Sequence, residues 1–355
     1  MFTCLAANTA AAQGGLLLQG ILDAEFWRTD AGSVLLARNG GRPAVLGRMQ
    51  LWSALEPLPG LILYGQGEVE GGRARQEPGT DWEIEQLGVR YVRSDAIVFD
   101  IGKTAPVVGT FAARKLSTRN PLIGAPDGYP VQYPLAAKIS GARGRLDYRL
   151  AVTSLPVSHE NYTPAPSAAP RPALGLGFTP FVGLRVGAAA TWGSYLNCDL
   201  PASLLAGQSW RSFQQRVGSA DVQFSRGYLE MWGELAVSRY DVPGHATASN
   251  GLTYYTEAKY TFTPRFFVAG RFERNDYPYI QPLNATTWMA NPTDFYNGEV
   301  GAGFRLSPST LVKMSYRADQ WLVPESLRSF LPNGSAFAVQ VSRAFDVIEL
   351  ATPRR

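Results

Sequence analysis

The stretch TAPVVGTFAARKLSTRNPLIGAPDGYPVQY, residues 104–133, decides how the rest of the chain is interpreted. A continuous helix or a central strand is excluded there by its prolines and glycines: Pro106, Pro121, Pro126, Pro130, Gly109, Gly124 and Gly128. A structureless segment of this length inside a compact domain is usually functional. Alternating segments flank it at 97–103 and 135–141, so both of its ends lie on the same rim. If the strands enclose a hollow barrel, we predict that this segment, the constriction loop, folds inward and narrows it.

Outside this loop the chain alternates between apolar and polar residues. In the first segment Leu18, Leu22 and Phe26 fall on one face, while Asp23 and Glu25 fall on the other, which is the period of a β-strand. The alternation predicts sixteen strands, at 16–27, 45–56, 61–72, 84–93, 97–103, 135–141, 146–154, 173–179, 184–194, 215–225, 228–239, 252–262, 266–274, 296–306, 311–320 and 336–345.

The connections between these strands alternate between short and long. Seven turn-forming clusters, of which PLPG at 57–60 and SRGY at 225–228 are typical, interleave with eight long loops. A β-propeller would not place every second connection at nearly minimal length. The alternation therefore predicts an up-and-down meander with both chain ends on the side of the tight turns.

The two faces of the predicted sheet differ in polarity. One face carries aliphatic and aromatic residues, and the other carries charged ones, including Arg90, Lys138, Arg149, Arg185, Glu230 and Glu234. The polar face holds too many charges to fill a core, and the apolar face is too extensive for a small interior. An all-β transmembrane barrel, with its apolar face toward lipid and its charged face toward water, satisfies both conditions.

Composition agrees with a membrane barrel. The mean hydropathy is -0.10 and no run of about 20 apolar residues occurs, which excludes a transmembrane helix. The net charge of +4 is mild and lacks the basic run of a nucleic-acid surface. Residues 1–12 end in an A-x-A pattern that predicts the remnant of a signal peptide, with a single barrel domain over 13–355.

Catalytic chemistry finds little support in the sequence. The two histidines, His159 and His245, lie in predicted loops without a nucleophile motif nearby. The doublets Glu68/Glu70 and Glu230/Glu234 imitate a glycosidase pair, but carboxylates facing a watery lumen explain them equally well. No Cys/His spacing predicts a metal site. We therefore predict no enzyme, no catalytic residues, no metal and no cofactor.

The strand count, the turn and loop alternation and the long third loop resemble the sixteen-stranded class of Gram-negative outer-membrane porins. A weaker resemblance to the phosphate-selective, O/P-like porins lies in FDIGKTAPVVGTFAARKLSTRNPL, residues 99–122. The last strand, GSAFAVQVSRAF, ends as porins do at Phe345, but DVIELATPRR follows it. The resemblance implies short periplasmic turns, long external loops and an outer-membrane location. It also implies a homotrimer, which small outward residues at Gly20, Ala24, Ala188 and Ala190 favour.

The leading hypothesis is a water-filled diffusion channel for small hydrophilic solutes, surrounded by outer-membrane lipid and lipopolysaccharide and without a nucleic-acid partner. In the constriction loop Arg114, Lys115 and Arg119 outnumber Asp127, which predicts a modest anion preference. The predicted selectivity residues also include charges of the wall: Arg90, Lys138, Arg149, Arg185, Glu230 and Glu234. Two alternatives remain open. One is a structural or gated barrel that serves as an anchor, a receptor or a specific transporter, and the other is an outer-membrane enzyme.

Overall fold

The computed structural model describes residues 15–74, 79–127, 133–154, 169–196, 204–284 and 287–348. These residues form a closed antiparallel barrel of sixteen strands, which confirms the predicted fold class and strand number. The strands are β1 Leu16–Thr29, β2 Ala44–Leu58, β3 Leu61–Gly72, β4 Thr80–Ser94, β5 Ile97–Lys103, β6 Leu135–Arg143, β7 Leu146–Thr153, β8 Arg171–Phe181, β9 Leu184–Ser194, β10 Gln214–Arg226, β11 Leu229–Tyr240, β12 Ser249–Thr263, β13 Phe266–Pro282, β14 Trp288–Ser307, β15 Thr310–Trp321 and β16 Gly334–Asp346.

The barrel closes between its first and last strands. β1 pairs with β16 from Gln19 opposite Asp346 to Thr29 opposite Ala336, and every other strand pairs with its neighbours in sequence. Closure leaves no unpaired sheet edge, which a sheet surrounded by lipid requires. Within the described residues no helix is long and apolar enough to cross a membrane.

One rim of the barrel consists of tight turns. Two residues connect the strands of each hairpin from β2–β3 to β14–β15 on this side. Gly60, Gly144 and Gly227 occupy these turns with φ of 79°, 62° and 61°, a region that glycine adopts without steric cost. The longer connections all leave from the opposite rim, so the predicted asymmetry of the two rims is present.

Successive side chains of each strand alternate between the outer surface and the lumen, as the sequence alternation predicts. Leu22, Ile101 and Val300 lie on the outer surface and are exposed by 52%, 65% and 61%, whereas Asp23, Asp100 and Glu299 of the same strands are buried inside. A bulge in the β3–β4 pairing at Gln66 and Gly67 changes this local register. The bulge turns Glu85, which the alternation did not assign to the lumen, into the interior.

The hairpin β13–β14 differs from its prediction. The alternation predicts strands over 266–274 and 296–306 with a long loop over 275–295, yet the two strands pair as far as Pro282 opposite Trp288. Tertiary packing overrides local propensity here. Ile280 and Trp288 are buried in an apolar cluster with residues of two neighbouring external loops and one strand end: Tyr195, Leu196, Val242 and Tyr240.

Some predictions fall outside the described residues. The signal-peptide remnant at residues 1–12 lies in the first segment that the structure does not describe, and His159 also lies outside the described ranges. The extra C-terminal sequence is described only as far as residue 348, two residues beyond the end of β16.

Candidate pore constriction

The constriction loop leaves β5 and folds into the lumen, as predicted for the third loop. Its base is closed by a hydrogen bond of 2.9 Å from the Thr104 N–H to the Pro134 carbonyl. Lys138 of β6 donates to the carbonyl of Ala105 at 3.1 Å and lies 3.7 Å from the Asp100 carboxylate. The loop then crosses to Val107, which packs against Ala151 and Ala173 of β7 and β8.

A first anchor fixes the loop to β11. The backbone N–H and the hydroxyl of Thr110 each donate to the Glu234 carboxylate, both at 2.8 Å, and Tyr255 of β12 donates to the same carboxylate. Phe111 packs edge-on against the Tyr255 ring with the centroids 6.2 Å apart. Glu234 is buried, so these donors satisfy a carboxylate that would otherwise be costly to bury.

Arg114 forms the second anchor, at the end of a short 3-10 turn over Phe111–Arg114. Its guanidinium forms an ion pair with Glu257 of β12 and donates to the Tyr255 hydroxyl at 3.1 Å. It also lies over the Trp232 ring, 4.5 Å from the centroid. Burial of Arg114 opposes its charge, but Tyr255 and Glu257 outweigh that effect and raise the pKa of the guanidinium.

The next residues contact the other side of the barrel. Lys115 forms an ion pair with Glu85 of β4, and the Ser117 hydroxyl donates to Asp23 of β1 at 2.7 Å. β4 and β12 lie eight positions apart in the ring of sixteen strands, so Arg114 and Lys115 contact opposite walls. Burial, followed by the nearby Glu85 carboxylate, raises the pKa of the Tyr133 phenol, which lies beside Lys115.

Lys313 of β15 fixes the following bend of the loop. Its ammonium donates to the carbonyl oxygens of Ser117, Asn120 and Leu122 at 2.8, 2.9 and 2.7 Å. The side chain is 1% exposed. These three bonds use all three N–H donors of the ammonium group, so one side chain fixes the loop backbone at three carbonyl groups.

The returning part of the loop contacts β13, β14 and β15. Glu299 accepts from the N–H groups of Ile123 and Gly124 at 3.2 and 3.4 Å. Arg271 donates twice to the Gly124 carbonyl, at 2.9 and 2.8 Å, and its Nε lies 2.9 Å from Glu257. The wall thus satisfies both polar groups of the Gly124 backbone.

Asp127 occupies a network at the end of this return. It forms an ion pair with Arg317 and accepts from the Asn297 amide at 2.9 Å. Its backbone N–H donates to Glu273 at 2.6 Å. The one acidic residue of the predicted constriction is therefore matched by a cation of β15.

The remaining loop cation has a different environment. Arg119 is exposed, and among the described residues its guanidinium forms one hydrogen bond, to the Ala113 carbonyl at 3.4 Å. Of the loop's three predicted cations, Arg114 and Lys115 face carboxylates and Arg119 faces open solvent.

The predicted wall residues lie in the lumen but form local pairs. Arg90 contacts Asp100 at 2.7 Å, and Glu230 accepts from Lys259 at 2.6 Å. Arg185 binds Asp147 through two bonds of 2.8 Å and also pairs with Asp221.

Arg149 differs from these pairs. Its Nε and Nη2 are buried and have no hydrogen-bond partner among the described residues. It therefore adds a positive charge to the wall that no single carboxylate cancels.

The alternation of the strands also puts on the polar face five residues that it does not identify as partners of the loop: Glu257, Arg271, Glu299, Lys313 and Arg317. Their role depends on contacts with a loop more than a hundred residues away, which periodicity does not encode. Glu85 was missed because the bulge shifts the alternation. One feature of the sequence could have indicated these partners. The cations Arg271, Lys313 and Arg317 lie on two nearby strands, and buried cations require carboxylates or carbonyl oxygens to pair with.

Comparisons with known proteins bear on the fold. No protein-family model matches the sequence, and the comparison with curated proteins finds no match. Among solved structures, the anion-selective porin from Comamonas acidovorans superposes with a TM-score of 0.64 at 11% identity, covering 94% of this chain and 100% of that one.

A second similar structure is OmpT of Vibrio cholerae, an outer membrane protein. In-vitro folded OmpT in its trimer form superposes with a TM-score of 0.58 at 12% identity, covering 94% of this chain and 99% of that one. A loop L8 deletion mutant of OmpT superposes with a TM-score of 0.60 at 12% identity, covering 94% of this chain and 99% of that one. The chain thus has the fold of the sixteen-stranded outer-membrane porin class.

Proposed function

We propose that the protein is a porin, a channel for small hydrophilic solutes in the outer membrane of a Gram-negative bacterium. The observation that carries this proposal is a charged lumen, enclosed by sixteen strands and crossed by an anchored loop. A barrel that served only as an anchor would not need so many buried ion pairs inside, because desolvating charges is costly. Outer-membrane lipid surrounds the apolar face.

The channel has no catalytic role in this proposal. The histidine that the structure describes, His245, lies against the backbone carbonyl of Trp288 at 2.8 Å. Glu230 is paired with Lys259, and Glu234 is bound by Thr110 and Tyr255. Glu230 therefore forms an ion pair within the wall, and Glu234 binds the constriction loop to the wall.

The channel prefers anions modestly. Arg119 is exposed in the constriction loop, and Arg149 adds a guanidinium with unpartnered atoms to the wall. Arg114 and Lys115 contribute less, because Glu257 and Glu85 compensate their charge. Arginine also binds phosphate and carboxylate through two parallel hydrogen bonds, which favours anionic solutes. The name of the Comamonas acidovorans porin, anion-selective, describes the same preference in a protein of the same fold.

The assembly that we propose is a homotrimer. The trimer form of Vibrio cholerae OmpT supports this state. Gly20 has a local reason for its small size, since a Cβ there would meet Phe345 and Leu51 at 2.5 and 2.7 Å. Ala24 is exposed on the outer surface and is the better candidate for close approach of two barrels.

A gated barrel is the second candidate. The observation that favours it is the contact of Arg114 and Lys115 with opposite walls, which divides the cross-section at the level of the loop. A loop held at both sides leaves separate passages on either side of it, and its release would widen the channel.

Single-channel recording of the purified protein in planar bilayers tests the proposal. A diffusion channel gives steady conductance that scales with bulk salt conductivity. A gated barrel gives long closed periods interrupted by openings. A membrane that stays closed in all small solutes would overturn the porin assignment.

A further inference from the structure

A pair of arginines stands on the outer surface of the barrel near the external rim. Arg216 of β10 and Arg239 of β11 lie directly opposite each other in the pairing register. Both side chains are exposed, and neither forms a hydrogen bond or ion pair with another residue that the structure describes. Like charges directly opposite each other destabilise a sheet, and an anion bound between the two guanidinium groups would relieve their repulsion.

The pair lies at the membrane interface. β10 begins at Gln214 and β11 ends at Tyr240, so Arg216 and Arg239 are near the external ends of their strands. Trp192 of β9 lies opposite Arg216 and is 47% exposed on the same outer surface. Exposed tryptophans mark the level of the lipid headgroups, where an outward arginine costs little compared with the membrane centre.

An apolar groove of about 750 Å³ lies against this pair on the outer surface. Ala190 and Gly218 lie opposite each other, two residues further from the external rim than Trp192 and Arg216, and they form the floor of the groove. Val237 lies beside Gly218. Small side chains leave this depression in a surface that larger residues cover elsewhere. Asn250 and Asp276 also line it, so the groove carries one carboxylate beside its two cations.

We propose that this groove binds a phosphate-bearing lipid of the outer leaflet, with the phosphate between Arg216 and Arg239 and an acyl chain along Ala190 and Gly218. Guanidinium groups bind phosphate through paired, charge-assisted hydrogen bonds. Basic residues beside a membrane-facing surface attract anionic headgroups. The proposal rests on the outer-membrane location of the proposed function.

Native mass spectrometry of the detergent-purified protein tests this site, with diphosphorylated lipid A as the probe and its dephosphorylated form as the comparison. We expect the wild type to retain the phosphorylated lipid preferentially. The Arg216→Gln, Arg239→Gln double variant should retain it about thirtyfold less, the combined effect of two cations near a membrane surface. Retention by the wild type should also weaken as salt rises.

A matched control removes two outward cations at the other rim. Arg143→Gln with Arg226→Gln changes the net charge equally, and both residues are exposed at the ends of β6 and β10 next to the tight turns. We expect this control to retain the lipid like the wild type. Equal losses in both double variants would show non-specific attraction, and no loss in either would show that the lipid binds elsewhere. Each of these outcomes overturns the site.

A second variant keeps both arginines and fills the groove. A Cβ at Gly218 would meet only Val237, at 3.8 Å, so Gly218→Leu fits the fold and occupies the floor. We expect it to weaken lipid retention while folding normally, as judged by the shift in gel mobility between heated and unheated samples. Wild-type retention by Gly218→Leu would contradict the groove as the acyl-chain site.

Two further measurements distinguish lipid binding from binding of free phosphate and from contact between copies of the chain. Inorganic phosphate that displaces the lipid at equal concentration would assign the arginines to free phosphate and overturn the lipid proposal. A change of oligomeric mass in the arginine variant, without a change in lipid retention, would assign the surface to contact between copies and overturn it as well. Conductance of the same preparation reports the channel separately, since loss of the lipid site leaves the lumen unchanged.

Discussion

Arg114 and Lys115 are neighbours in sequence, and they form ion pairs with opposite walls of the barrel, at Glu257 of β12 and Glu85 of β4. The 3-10 turn over Phe111–Arg114 ends at this point, and its consecutive side chains point in different directions. The loop is therefore held across the lumen by two adjacent residues. Most of the positive charge in the loop serves as an anchor.

Replacing Glu257 by Gln should destabilise the barrel more than replacing Arg114 by Gln. Glu257 binds both Arg114 and Arg271, so its loss removes the carboxylate of Arg114 and leaves Arg271 with the longer contact to Glu299 at 3.8 Å, whereas the loss of Arg114 leaves Glu257 paired with Arg271. Removing one partner of a buried pair costs about 3–5 kcal/mol. Guanidinium-induced unfolding of the barrel in lipid vesicles measures both free energies of unfolding. The reverse order would mean that Arg114, and not Glu257, is the centre of this network.

Lys313→Met should loosen the constriction loop without opening the barrel. The substitution leaves the carbonyls of Ser117, Asn120 and Leu122 without their donor, and each buried unsatisfied group costs about 1–3 kcal/mol. We expect larger and noisier single-channel conductance together with faster trypsin cleavage after Arg119.

A lysine without loop contacts provides the control for this experiment. Lys259→Met removes a lumen cation that pairs with Glu230 in the wall. Its conductance noise and trypsin cleavage should match the wild type. If Lys259→Met and Lys313→Met behave alike, loss of charge and not release of the loop explains the effect.

The architecture could be predicted from sequence because a membrane barrel repeats one local rule. Each strand alternates with a period of two and each second connection is a tight turn, so sixteen independent segments indicate the same topology. The prediction was wrong in detail where long-range packing decides, as in the β13–β14 hairpin. There Ile280 and Trp288 are buried in an external cluster and extend the strands through Pro278.

The candidate site could be predicted only in outline. The prolines and glycines of residues 104–133 indicated a loop, and its position in the meander indicated the third external one. Which wall residue meets which loop residue depends on the three-dimensional path of the loop. Lys313 binds carbonyl oxygens, which are present in every residue, so no side-chain pattern in the loop could identify it as the partner.

Gly124→Val should displace the returning part of the constriction loop. A Cβ at Gly124 would lie 2.8 Å from Arg317 Nη1 and 3.2 Å from Glu299 Oε2, so the loop and these two side chains must move apart. We expect a changed single-channel conductance, because either the loop backbone or the Arg317 guanidinium and the Glu299 carboxylate must move to admit the new side chain. Gly47→Val is the control, because a Cβ there meets only the Gly71 carbonyl, at 4.0 Å. A wild-type conductance for Gly124→Val would show that this segment does not border the conducting path.

Arg119→Glu should shift the reversal potential in a salt gradient toward cation preference. Arg119 is the exposed cation of the constriction loop, so reversing its charge changes the potential where solutes pass. The shift should shrink from 0.1 M to 1 M salt, as the screening length falls from about 10 Å to about 3 Å. Arg328→Glu, at an exposed site in the last external loop, provides the matched charge reversal and should shift the potential less. Equal shifts for both variants would place Arg119 away from the narrowest section.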